Sequence, residues 1–65
     1  MLGQSRTIGT HTVTLRRVDN VNIVDVYNGQ KKDEFYSDEF LDPTVAMEYY
    51  KNICKRMELE KLLGI

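Results

Sequence analysis

A chain of 65 residues holds one domain at most; its single cysteine, Cys54, excludes an internal disulfide, and Cys54 with the single histidine, His11, falls short of the about four N/S ligands of a structural zinc site. Apolar residues make up 42% and charged residues 29%, the balance of a globular domain rather than of a disordered chain. Nine basic against ten acidic residues leave a net charge of −1, which steers the molecule neither to nucleic acid nor to an anionic membrane, and no apolar run reaches the about 18 residues of a transmembrane helix.

Residues 1–10 carry one Arg and lack the apolar block of a signal peptide. With a lone cysteine as well, the cytoplasm is the expected compartment and no membrane partner is expected. The segment is small, polar and glycine-containing, so it reads as a flexible N-terminal segment that frays, with Ile8 as its candidate for docking. Residues 11–65 then form the single domain. His11 to Val18 alternates Val13 and Leu15 with Thr12, Thr14 and Arg16, a strand pattern. Asp19-Asn20 follows as a two-residue turn, since both residue types tolerate positive φ. Val21 to Tyr27 is a second strand. Asn28-Gly29 is a strong hairpin signal and predicts a left-handed Gly29. Lys31 to Ser37 reads as a third, polar edge strand. Asp42 as cap and Pro43 at the first helical position open a helix that runs to about Leu62. The predicted fold is α+β: a three-stranded antiparallel β-meander with one C-terminal α-helix packed on one face.

A two-residue turn at Asp19-Asn20 pairs Val18 with Val21, Leu15 with Val24 and Val13 with Val26. One sheet face then gathers Val13, Leu15, Val24 and Val26, joined by Phe35 after a two- or four-residue loop, and this face meets the helix. The helix answers with a stripe of Ala46, Tyr50, Ile53 and Met57, flanked by Tyr49 and Cys54, with Ile53 expected as its best-buried member. Two sets of residues are left over. The other sheet face carries Thr12, Thr14, Arg16, Val18, Val21, Ile23, Asp25, Tyr27 and Tyr36, an apolar excess for a solvated face. Leu59, Leu62 and Leu63 project from the side of the helix away from the core. Contiguous exposed apolar surface marks interaction sites. A bulge at Ile23-Val24 would re-aim part of the first set, and a helix ending near Glu58 would let the leucines fold back.

Catalysis needs convergent groups: a nucleophile with its base, paired carboxylates, or a metal cage. None stands in this sequence, so no enzyme, cofactor or metal site is expected. His11 reads as a surface strand residue and Cys54 as a buried, inert thiol. Asp33, Glu34, Asp38, Glu39 and Asp42 lack the spacing of a calcium loop and read as a solvated acidic rim, with Asp42 capping the helix. Arg16 and Arg17 on the first strand, Lys31 and Lys32 on the third, and Tyr27 and Tyr36 between them suit a sheet that enters a DNA groove. The element order resembles that of phage-integrase arm-binding domains, which implies a DNA-binding or regulatory alternative. The leading expectation is a non-enzymatic protein–protein interaction domain or accessory subunit, self-associating or bound to another protein. Its expected surface is Arg16, Val21, Ile23, Tyr27, Tyr36, Leu59, Leu62 and Leu63.

Overall fold

A computed structural model of the chain describes residues 3–64. Five strands and one helix follow in the order β1 (Gly3–Ile8), β2 (His11–Val18), β3 (Val21–Asn28), β4 (Lys31–Lys32), β5 (Asp38–Phe40) and α1 (Pro43–Leu63). The strands form one antiparallel sheet in the order β1-β2-β3-β4, with β5 also paired to β3, and α1 covers one face. The α+β meander with its C-terminal helix is thus the fold.

The β2–β3 hairpin is the centre of the sheet. Its register runs unbroken from His11↔Asn28 through Val13↔Val26 and Leu15↔Val24 to Val18↔Val21, so there is no bulge at Ile23-Val24. Asp19 and Asn20 take φ of 51° and 68°, the doubly left-handed pair that a two-residue turn between twisted strands requires. Gly29 has φ +65° and, with Gln30, makes the two-residue loop between β3 and β4. Val13, Val24 and Val26 are fully buried under α1, and Leu15 packs at the edge of the same cluster.

Asp42 caps α1, its Oδ1 accepting from the Thr44 amide at 2.8 Å, and Pro43 follows it. At the other end Gly64 closes the helix with φ 75°. The buried stripe is Ala46, Tyr50, Ile53, Cys54 and Met57. Ile53 is not its best-buried member: at 6% exposed it lies behind Ala46 at 0% and Met57 at 1%. Asn22 fixes where the chain enters the helix, its amide donating to the carbonyls of Phe40 and Leu41 at 3.2 and 3.3 Å.

Two expectations are corrected. Gly3–Ile8, read from the sequence as part of a flexible segment, is a strand paired with β2 from Gly3↔Arg16 to Ile8↔His11, and Ile8 enters the core. Ladder hydrogen bonds, the Ile8 side chain and an Arg6–Glu58 ion pair hold the segment in spite of its polarity. The single third strand over Lys31 to Ser37 is instead two short strands around a turn. Five residues, Asp33–Ser37, stand opposite only Asp25 and Val26 of β3. Asp33 starts the excursion, its Oδ1 accepting from the amides of Phe35 and Tyr36 at 3.1 and 3.4 Å. Such side-chain acceptors compete with ladder pairing. Ser37 repairs the ladder, its Oγ accepting from the Val26 amide at 3.0 Å. Phe35 rides at the tip of this turn and is 84% exposed, so it does not join the helix-facing side of the sheet.

Candidate interaction surfaces

The residues singled out for interaction fall on two opposite sides of a two-layer molecule. The cross-strand register places Thr12, Thr14, Arg16 and Val18 of β2 with Val21, Ile23, Asp25 and Tyr27 of β3 on the sheet face that α1 does not cover. Ser5 and Thr7 extend this face along β1, Lys32 along β4 and Glu39 along β5. Tyr36 does not belong to it. The turn at Asp33–Ser37 swings Tyr36 toward the helix, where it packs against the core and its carbonyl accepts from the Tyr49 hydroxyl at 2.6 Å. Beside this bond the Phe40 and Tyr49 rings lie 5.0 Å apart.

A carboxylate sits at the centre of the outer sheet face. Asp25 is only 5% exposed although, among the described residues, no element covers that face. Its Oδ2 accepts from Arg16 Nε at 3.1 Å, and its Oδ1 lies 3.4 Å from Lys32 Nζ but outside hydrogen-bonding geometry. Two half-exposed cations therefore lean inward over one buried anion, and their stems shield it from water. The Asp25 carboxylate, 3.4 Å away, raises the Lys32 pKa above its ordinary value, by this close polar contact first and its charge second. Val21, Ile23 and Tyr27 on the same face are half-buried, Ile23 opposite Arg16 and Tyr27 opposite Lys32.

The second surface is the outer side of α1. The helix continues to Leu63, so the leucines do not fold back. Leu59, Leu62 and Leu63 stand 52%, 82% and 62% exposed, and Val45 near the start of the helix is 48% exposed.

The titratable groups with chemical potential are otherwise in structural roles. Burial pushes the Cys54 thiol up from its ordinary pKa, which keeps it protonated and unreactive at neutral pH. Burial likewise raises the Tyr49 and Tyr50 hydroxyls. His11 is half-buried at the start of β2. Asp33, Asp38 and Asp42 each accept a backbone amide nearby, which is turn and cap chemistry. Among the described residues no group of three or more His, Cys, Asp or Glu is placed to hold a metal ion, and no helix is long and apolar enough to cross a membrane.

Sequence reasoning located the leucines and the β2–β3 part of the sheet face. It did not assemble Asp25 with Lys32, because that contact depends on the length of the loop after β3. Compared with known proteins, the chain matches no family model, no curated protein and no solved structure.

Proposed function

We propose that this chain is a small non-enzymatic protein–protein interaction domain that associates with a second copy of itself. The observation that carries the reading is the row of leucines in water on the outer side of α1, in a fold too small to turn a second layer over them. Val18, Val21, Ile23 and Tyr27 on the outer sheet face support it from the other side.

The DNA-binding alternative needs free cations on the sheet. Arg16 and Lys32 are both engaged by Asp25, and Glu39 brings the outer face to two cations against two carboxylates. Such a face offers phosphates no net positive field.

Covering the three leucines of each copy contributes roughly 1–2 kcal/mol per side chain, about 6–12 kcal/mol for the pair. Association costs about 4 kcal/mol or more in lost freedom. The surplus of a few kcal/mol places dissociation in the micromolar to millimolar range. Light scattering coupled to gel filtration, at roughly 0.05 and 0.5 M salt, tests the reading. A dimer that holds or tightens with salt supports it. A chain that stays monomeric yet binds a labelled DNA duplex, with affinity collapsing as salt rises, would replace it with the alternative.

A further inference from the structure

Along α1, at about 100° per residue, Val45, Glu48, Asn52, Lys55 and Leu59 form a stripe centred within about 20° of the direction opposite the buried stripe, with Leu62 and Leu63 on its two flanks. All seven are exposed. From Val45 to Leu59 they are spaced three and four residues apart in alternation, the spacing of a helix-pairing seam. Their chemistry runs apolar, acidic, amide, basic, apolar. This order is complementary to itself when one helix is reversed against another.

Two antiparallel copies of α1 with a two-fold axis at Asn52 make the match concrete. Val45 stands level with Leu59 of the partner subunit. Glu48 lies within one residue, about 1.5 Å of rise, of the level of Lys55 of the partner subunit. Asn52 meets its own copy on the axis, the position where a lone amide sets register in paired helices. Parallel pairing would instead set Glu48 against Glu48 and Lys55 against Lys55. Neither Glu48 nor Lys55 has an ion-pair partner among the described residues, whereas the neighbouring Arg56 is already held by Glu60 at 3.0 Å. The helix has 21 residues, about 32 Å of rise, and so runs most of the 37 Å length of the molecule. A second helix can lie along the whole seam.

We infer that the outer face of α1 is an isologous, antiparallel helix–helix interface between two copies of this chain. The inference rests on the self-association proposed above and assigns it a surface, a symmetry and a charge code. A different partner protein would have no need of a pattern that reverses onto itself.

Charge exchange tests it, read by sedimentation equilibrium, with far-UV circular dichroism confirming that each variant stays folded. Glu48→Lys alone sets lysine against Lys55, and Lys55→Glu alone sets glutamate against Glu48. Each contact occurs twice in a two-fold dimer, so each single variant is expected to weaken association about tenfold or more. The double variant, Glu48→Lys with Lys55→Glu, is expected to return to within about threefold of the wild type. Leu59→Lys is expected to leave a folded monomer, and Ile23→Lys, on the opposite side of the molecule, to leave the dimer intact. A wild type that is monomeric at every concentration overturns both this inference and the proposed function. A wild-type dimer that ignores the single exchanges, or is not rescued by the double exchange, overturns the helix interface alone. If Ile23→Lys then dissociates that dimer, the outer sheet face takes its place.

Discussion

Removing either side of the Asp25 cluster has unequal consequences, and burial decides the order. The Asp25 side chain is 6% exposed, while those of Arg16 and Lys32 are 51% and 39% exposed. The carboxylate carries the desolvation cost and the cations keep most of their water. Taking away one cation, by Arg16→Met or Lys32→Met, removes a solvent-screened contact and leaves the other in place, so it should cost little. Taking away both strands a buried anion with no counter-charge, a situation that costs about 3–5 kcal/mol in buried pairs. Asp25→Asn is the mild change: the cations relax into water, and the amide oxygen can still accept from Arg16. It is expected to cost about 1 kcal/mol, the size of one net hydrogen bond. For a chain of 65 residues the total stability is about 3–10 kcal/mol, so the double cation variant should be visibly close to unfolding. Urea unfolding followed by circular dichroism, at a protein concentration where the chain is monomeric, gives all four values. If Asp25→Asn costs more than the double cation variant, the carboxylate is not the group that pays for burial, and the electrostatic account of this face fails.

Met57→Ala, at the most buried large side chain of α1, is expected to cost about 2–5 kcal/mol and to leave little folded protein, while Phe35→Ala at the exposed turn should change stability by less than about 0.5 kcal/mol; equal melting temperatures for the two would contradict the assigned core. Gly29→Ala isolates a backbone effect, because a Cβ there meets nothing within 4 Å and only φ +65° resists it. A loss of about 1 kcal/mol in urea unfolding is expected, and no loss would mean that the loop tolerates another conformation. Alkaline pH should destabilise the fold. Cys54, Tyr49 and Tyr50 have raised pKa values in the folded chain, each by burial first. Their contribution is fully present below the unfolded values, about 8.5 for Cys and about 10 for Tyr, and is lost as pH rises through the folded ones. The melting temperature should hold to about pH 8 and fall beyond about pH 9. Cys54→Ala should move that onset upward, and a melting temperature that rises with pH would reverse the sign.

The parts of the fold that were legible in the sequence are those where local chemistry and burial agree. Asp19-Asn20 tolerates the left-handed pair its turn needs, and the valines of β2 and β3 meet only in one register. Asp42, Pro43 and Gly64 punctuate α1 in the order helix ends prefer. The N-terminal strand was hidden because Gln4, Ser5, Arg6 and Thr7 are polar on both faces, so alternation carries no apolar signal. Gly9-Thr10, a glycine leading a two-residue loop, was the one local hint of that hairpin. The third strand was misread because Asp33 is also an ordinary strand-edge acid; only its bonds to the Phe35 and Tyr36 amides make it a turn. That turn moves Tyr36 to the helix side and Phe35 into water, so an error in register became an error in the site. Leu59, Leu62 and Leu63 were legible because helical periodicity over an uninterrupted α1 places them without any knowledge of the sheet.

Self-association is the central claim, and sedimentation equilibrium of the unmodified chain tests it most directly. Measured from about 1 μM to about 1 mM, the mass is expected to climb from the 7.6 kDa monomer toward twice that value, with only a small loss in high salt as the Glu48–Lys55 contacts are screened. A mass that stays at 7.6 kDa across the whole range would contradict it.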